Sequence, residues 1–156
     1  MKVYLTYDRY ERNEWLSVHR IETNKARAVK FFKEKDLPDF LAYGPDDCHS
    51  FQLQKVEMSK EMYLTLCKWV EAEGSHSETN YALKNLLISI YEEDGDFEVE
   101  TIYSTDGCSD NFELLRFYAD MYHLDYDEME DEIQERLCNN EELYMKVLKE
   151  YIRCNY

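Results

Sequence analysis

Apolar and polar residues alternate most clearly along residues 1–7 and 97–104, and residues 14–22 and 50–58 carry shorter pieces of the same pattern. This period of two is typical of a β-strand with one buried face, so each stretch predicts a strand. In the first stretch Val3, Leu5 and Tyr7 share a face, and the second stretch follows across a polar connection. The chain is therefore expected to open with an antiparallel hairpin.

The segments between and after these strands carry apolar residues at helical spacing. Helices are predicted over about residues 24–35, 59–73, 78–92, 110–122, 126–138 and 143–152. Good N-cap residues stand at several starts: Thr23 or Asn24, Ser59, Ser109 or Asp110, and Asp125 or Asp127. The LPD sequence at residues 37–39 is expected to end the first helix, before a turn in AYGPDD. The third helix is apolar around most of its circumference, which predicts a position at the centre of the core.

These elements describe a single α+β domain, residues 1–156, with about four strands and about six helices. A chain of 156 residues is the size of one compact domain. Its four glycines and two prolines are too few for a disordered or collagen-like chain, or for a turn-rich β-sandwich. Residues 1–69 form a near-neutral part with the hairpin, and residues 70–156 form a strongly acidic, mostly helical part.

The net charge of −16 is concentrated in the second part of the chain. Residues 1–69 hold 12 basic and 11 acidic side chains, whereas residues 70–156 hold 6 basic and 23 acidic ones. Such a charge disfavours direct binding to DNA or RNA, because the phosphates would be repelled. A basic partner is the natural counterpart, unless the charge serves solubility alone.

The chain shows no signal peptide and no membrane span, because MKVYLTYDRYERNEW carries charges where an apolar segment would be needed. A cytoplasmic protein without membrane contact is expected. The five cysteines lack a CxxC pair and are expected to be mostly small core residues in a reducing compartment. No Cys or His spacing predicts a metal site, and no glycine-rich loop or nucleophile motif predicts a cofactor or catalytic residues.

The densest feature is an acidic run at residues 120–135, which holds eight acids and no base before Arg136. If the run is helical, Met129, Ile133 and Leu137 face the core. Another face then carries an acidic stripe, Glu128, Asp131, Glu132 and Glu135. Neighbouring Cβ atoms along it lie about 5–6 Å apart, close to the spacing of phosphates along one nucleic-acid strand. The other acids of the run are Asp120, Asp125, Asp127 and Glu130.

A second acidic run leads into the fourth strand and holds Glu92, Glu93, Asp94, Asp96, Glu98 and Glu100. The last three of these acids are called the strand row. Asp96, Glu98 and Glu100 share one face by the two-residue period, while Phe97 and Val99 take the other. Two separate elements are therefore expected to present pure carboxylate faces. Tyrosine is favoured at protein interfaces. The tyrosines expected as anchors are Tyr7 and Tyr10 near the hairpin tip and Tyr122 and Tyr126 beside the acidic helix.

Carboxylates at this spacing can imitate the phosphates of a nucleic acid and occupy a groove lined with lysine and arginine. In its size, composition and uneven distribution of charge, the chain resembles the small acidic inhibitors that bacteriophages and other mobile elements make against host nucleases. These inhibitors are the anti-CRISPR and anti-restriction proteins that mimic DNA. The resemblance rests on the two acidic runs, about 25 of the 156 residues. It implies a non-enzymatic inhibitor in a bacterial host cell, whose partner is a basic nucleic-acid-binding protein such as a CRISPR effector nuclease or a restriction enzyme.

Two other functions stay open on the sequence. A generic adaptor or structural phage protein would carry an incidentally acidic surface. A nuclease would hold Mg²⁺ on the strand row, but Lys84 is the only base between Val70 and Arg116 that could attract its substrate. A basic segment at residues 20–35 is expected to be a solvated helix face, or to contact RNA or the acidic part of a second copy, which leaves a homodimer open.

Overall fold

The computed structural model describes residues 1–10, 15–42, 49–72, 80–105 and 111–156. Within these ranges four strands form one antiparallel sheet: β1 (Lys2–Tyr10), β2 (Trp15–Glu22), β3 (His49–Glu57) and β4 (Glu98–Ser104). Their order across the sheet is β2, β1, β3, β4, which leaves β2 and β4 at its edges. Because β1 and β2 pair directly, the predicted N-terminal antiparallel hairpin is confirmed.

Helices make up most of the remaining described chain. A helix α1 (Lys25–Phe31) runs through a π-helical segment (Phe32–Asp36) into α2 (Leu37–Ala42), so the three form one continuous helical unit. The other helices are α3 (Lys60–Ala72), α4 (Tyr81–Tyr91), α5 (Asn111–Met121), α6 (Tyr126–Cys138) and α7 (Glu141–Asn155). The predicted α+β fold, with its helical acidic second half, is confirmed. None of these helices, in the ranges described, is long and apolar enough to cross a membrane.

Capping side chains explain where several helices begin. Asn24 accepts a hydrogen bond from the backbone N–H of Arg27 at 3.0 Å. Ser59 accepts one from the backbone N–H of Met62, also at 3.0 Å. Each bond satisfies an N–H of the first turn that has no partner inside the helix. The caps predicted for α5 lie outside the described residues.

The predicted end of the first helix at LPD is wrong, because the helical unit continues through Pro38 to Ala42. The π-helical segment widens the turn, and the backbone N–H of Leu37 bonds to the carbonyl of Phe32. Regular helix resumes at Leu37, so Pro38 stands in a first turn, where a missing N–H costs little. The turn predicted in AYGPDD falls on residues 43–48, which lie outside the described residues.

Two clusters of buried side chains pack on opposite faces of the sheet. Val3 and Leu5 alternate with Tyr4 along β1, so they belong to different faces and different clusters. The Val3 face is covered by α3 and α4. The Tyr4 face is covered by the α1–α2 unit together with the cluster formed by α5, α6 and α7. The acidic helix α6 therefore belongs to the core on the Tyr4 side.

Helix α4 covers the sheet from one side, so the prediction that it lies at the centre of the core is wrong. Leu83, Leu87 and Ile90 are fully buried, whereas Tyr81 is 75% exposed and Ala82 is also exposed. Within the described chain α4 packs against α3 and β2. Its outer side meets solvent because a single layer of helices covers this face of the sheet.

The described cysteines are not core residues, contrary to the expectation. Cys67 is half-buried, and Cys138 and Cys154 are exposed; all three are free thiols. Cys138 is the last residue of α6, and Cys154 lies in the last turn of α7, where each helix leaves the core. The other two cysteines, Cys48 and Cys108, lie outside the described residues.

Candidate acidic interaction site

Helix α6 carries the acidic stripe and is fixed in position by its apolar side. Ile133 and Leu137 are buried in the cluster that α6 shares with α5 and α7, and Met129 is half-buried beside them. Asp125 caps the helix by accepting a hydrogen bond from the backbone N–H of Glu128 at 3.2 Å. Because one face is anchored in the core, the other faces of α6 are turned to solvent.

All eight acids of the run at residues 120–135 are exposed. Within the described chain, the only salt bridge that any of them makes joins Glu132 to Arg136, one helical turn later. A hydrogen bond to Tyr118 and the nearby carboxylate of Glu132 raise the pKa of Arg136. The predicted acidic stripe did not include this pair, although a spacing of four residues in a helix is a recognisable signal for it.

A kink interrupts α6 near its start. Met129 has φ −120° and ψ 17°, which lies outside the helical range. Glu128 precedes the kink, so its predicted helical spacing from the rest of the acidic stripe does not hold. Asp131, Glu132 and Glu135 follow the kink and keep the spacing of a regular helix. The evenly spaced part of the stripe is therefore three residues long.

Two tyrosines flank the start of α6. Tyr122 is 40% exposed, and its hydroxyl accepts a hydrogen bond from Nζ of Lys146 at 3.4 Å. Tyr126 is half-buried, and its hydroxyl donates to Oε1 of Glu130 at 3.2 Å. The guanidinium of Arg116 lies 5.2 Å from the centroid of the Tyr126 ring. Tyr122 is thus open at the edge of the acidic run, whereas Tyr126 is held by its neighbours.

Tyr7 is a core residue, so the expectation that it anchors a partner is wrong. It is fully buried, and its hydroxyl donates to Oε1 of Gln54 on β3. The physical reason is the period of the strand, because Tyr7 lies on the same face of β1 as Val3 and Leu5, and α3 and α4 cover that face. Tyr10, at the end of β1, is half-buried.

The strand row is exposed and alternates as predicted. Glu98 and Glu100 lie at the start of β4, and Asp96 lies in the turn before it. All three side chains are exposed, while Phe97 and Val99 pack against the core on the Val3 side of the sheet. The strand itself begins one residue later than predicted, at Glu98.

The strand row is not a pure carboxylate face, which corrects the prediction. Lys55 stands opposite Glu100 in the pairing of β3 with β4 and forms a salt bridge with it. The hydrogen bond from Lys55 lowers the pKa of Glu100, and the charges of Lys25 and Lys2 lower it further. Sheet register and the packing of α1 bring these cations beside β4, and the period of β4 alone does not reveal them.

The acidic stripe and the strand row belong to different packing units. Helix α6 packs against α5 and α7, whereas β4 pairs with β3 at the edge of the sheet. The magnesium alternative rests on the strand row, where Lys55 already binds Glu100. Across the described ranges, no group of three His, Cys, Asp or Glu side chains is arranged to hold a metal ion. The stripe on α6 is therefore the stronger candidate for an interaction site.

The basic segment at residues 20–35 is partly neutralised within the molecule. Nε and Nη2 of Arg20 each lie 3.0 Å from a carboxylate oxygen of Asp36. Nζ of Lys33 lies 4.9 Å from the centroid of the Tyr103 ring. The lysines that stay exposed on this helical unit are Lys25, Lys30 and Lys35. The segment therefore offers fewer free cations than its sequence indicates.

No protein-family model, curated protein sequence or solved structure matches the chain. A role for α6 therefore has to follow from its own chemistry. That chemistry is a fixed helix with exposed carboxylates, one partly exposed tyrosine at its start, and one intrahelical salt bridge among the described residues.

Proposed function

We propose that this protein is a non-enzymatic inhibitor that occupies the basic groove of a nucleic-acid-binding protein, with the exposed acids of α6 in place of phosphates. The partner class is a host defence nuclease, a CRISPR effector or a restriction enzyme. Asp131, Glu132 and Glu135 form the regular part of the contact, and Glu128 extends it beyond the kink. Tyr122 supplies an amphipathic ring at its edge.

The observation that carries the proposal is the exposure of all eight acids of the run on an element that the core holds in place. Like charges at helical spacing repel by a few tenths of a kcal/mol per pair, or about 0.5 kcal/mol at low salt for the two pairs that follow the kink, Asp131 with Glu135 and Glu132 with Glu135. A row of lysine and arginine removes this repulsion and adds charge-assisted hydrogen bonds. Opposite charge also speeds the encounter of the two proteins.

The strand row has a smaller part in this proposal. Glu100 already has a cation in Lys55, so binding a basic partner there would have to displace an existing salt bridge. Glu98 stands opposite Glu57 in the sheet and is exposed. We therefore assign the main contact to α6. Asp96 and Glu98 belong at most to the periphery of that contact.

The adaptor alternative predicts a different surface. An adaptor would bind through exposed apolar side chains, and those with the largest exposed fractions among the described residues are Tyr81 and Leu64, at 75% and 48%. They lie on α4 and α3, which cover the opposite face of the sheet from the core of α6. The two functions can therefore be separated by substitutions on opposite sides of the molecule.

The test is capture of partners by the tagged protein from bacterial lysates that contain CRISPR effectors and restriction enzymes. Retained proteins are eluted in salt steps and, separately, with duplex DNA, and they are identified by mass spectrometry. We expect a basic nucleic-acid-binding protein that both eluents release, because DNA competes for the same groove and salt screens the contact. A retained protein that neither salt nor duplex DNA releases would contradict the proposal.

A charge-matched pair of variants assigns the contact to α6. The α6 variant carries Glu128→Gln, Asp131→Asn, Glu132→Gln and Glu135→Gln. The control variant carries Glu34→Gln, Asp39→Asn, Glu61→Gln and Glu71→Gln, four exposed acids on other helices. Both lose four charges, yet we expect only the α6 variant to lose partner binding, by about tenfold or more. A third variant, Leu64→Ser with Tyr81→Ser, loses binding only if the protein is an adaptor.

A further inference from the structure

Helix α7 presents a second exposed stripe that the proposed function does not use. Glu142, Met145, Lys146 and Lys149 follow one another at the i, i+3, i+4 and i+7 positions of one helix face. They line a shallow groove of about 560 Å³ together with Asn140 and Leu143. The buried residues of α7 lie on another side of the helix: Val147, Leu148, Tyr151 and Ile152. The charged members of the stripe, Glu142, Lys146 and Lys149, are exposed, whereas Met145 is half-buried and packs in part against the core.

The two ends of this stripe carry opposite charges. Glu142 and Lys149 are exposed and lie seven residues, or about 10 Å, apart along the helix axis. In the described chain neither of them forms a salt bridge. Lys146 is turned towards Tyr122, with its Nζ 3.4 Å from the tyrosine hydroxyl. The half-buried Met145 lies between Glu142 and Lys149 and is the apolar residue at the centre of the stripe.

We infer that this face of α7 binds the same face of a second copy, with the two helices antiparallel and a twofold axis beside Met145. A twofold interface must be self-complementary. If one residue of the first copy contacts a second residue in the other copy, the same contact occurs again with the two copies exchanged. The antiparallel arrangement places Glu142 of each copy opposite Lys149 of the other, twice in one interface. A parallel arrangement would place like charges together, so the charge order of the stripe selects the antiparallel dimer.

The inferred dimer is small and reversible. Helix α7 has 15 residues and is about 22 Å long, so a single pair of such helices lies at the low end of protein interfaces. Each copy also carries a net charge of −16, which opposes association at low salt. At physiological ionic strength the Debye length is about 8 Å, so this long-range repulsion is screened while contacts across the axis persist. The dimer is therefore expected to be weak, with a dissociation constant on the order of 100 µM in ordinary buffers.

A reciprocal charge swap tests this interface. Sedimentation velocity is measured from about 1 µM to about 300 µM on the full chain, on Glu142→Lys, on Lys149→Glu, and on an equimolar mixture of these two variants. Each variant alone faces like charges across the axis, so we expect its dimerisation to weaken about tenfold or more. In the mixture every facing pair is opposite in charge again, so dimers should return.

Three controls make the result decisive. Circular dichroism checks that both variants fold, as expected for exposed positions. Glu61→Lys on α3 makes the same charge change elsewhere and should dimerise like the unmodified chain. The α6 variant should also dimerise normally, so failure of this inference and failure of the proposed function are distinguishable. A chain that stays monomeric throughout, dimers that either substitution leaves unchanged, or a mixture that stays monomeric would each overturn the inference.

Discussion

Single residues show how the molecule accommodates a buried charge. Asp36 is only 6% exposed and lies in the π-helical segment, where both of its carboxylate oxygens accept hydrogen bonds from Arg20 on β2. The guanidinium also lies 4.1 Å from the centroid of the Phe31 ring. A buried carboxylate is tolerated when it is paired and hydrogen-bonded in this way. The pair joins the first helical unit to the edge strand of the sheet.

Replacing Asp36 by asparagine is expected to destabilise the protein by about 2 kcal/mol, because the half-buried guanidinium of Arg20 loses its charged partner. Urea unfolding followed by circular dichroism measures the change. Asp39→Asn, an exposed acid one turn away, is the matched control and should change stability by less than about 0.5 kcal/mol. Equal effects of the two substitutions would show that the Arg20 pair contributes little.

The sequence predicts which of some single residues are buried, but it does not predict which residues they pair with. Alternation correctly places Val3, Leu5 and Tyr7 on one buried face of β1. It does not reveal that the other face, with Tyr4 and Thr6, is buried as well. The pairing of Arg20 with Asp36 spans 16 residues and requires both the strand and the π-helical segment in place. No local period contains this information, which is why Arg20 was grouped with the exposed cations of its segment.

Helices and strands follow the sequence more closely, because hydrophobic period and capping act within a few residues. Asp125 marks the start of α6 both in the sequence and in the structure. Local signals fail where an element depends on what surrounds it. Pro38 does not stop the first helical unit, because the preceding π-helical segment places it in a new first turn. The apolar circumference of α4 likewise does not place it at the centre of the core.

Removal of the N-cap of α6 should lower the stability of the folded protein while every acid of the acidic stripe is kept. Asp125→Ala is expected to destabilise the protein by about 1 kcal/mol, because the backbone N–H of Glu128 loses its acceptor. Asp125→Asn keeps an acceptor oxygen at the same position and removes the same charge. It should therefore stay within about 0.3 kcal/mol of the unmodified protein in thermal unfolding. Similar losses for both substitutions would assign the effect to charge instead of capping.

The whole molecule separates its charge between two parts of one chain. The exposed acids of α6 lie close together with one salt bridge among the described residues, so they repel one another in the folded state. The strand row differs because cross-strand and helix neighbours bring cations beside it. The exposure of the α6 acids and of the strand row could be predicted from the sequence, because the apolar residues beside them determine which side of each element is buried. The neutralisation of the strand row could not be predicted, because it depends on sheet register.

Salt should stabilise the folded protein. Raising NaCl from about 10 mM to about 500 mM screens the repulsion along α6, which is expected to add about 0.5 kcal/mol, or about 1–2 °C in Tm. Differential scanning calorimetry measures the shift. The α6 variant should respond less than its charge-matched control, because it has lost the repelling carboxylates. A Tm that falls with salt would show that attractive surface pairs outweigh this repulsion.

The position of β4 has a consequence for how the protein behaves when it is concentrated. In the described chain β4 pairs with β3 alone and forms an outer strand of the sheet. An open strand edge is a template on which further strands can add, and such growth leads to aggregates. Lys55 neutralises Glu100, so the negative charge along this edge comes from Glu98, which is exposed and stands opposite Glu57. Two copies that meet edge to edge at β4 bring their Glu98 side chains together, and this repulsion is expected to oppose extension of the sheet from one molecule to the next.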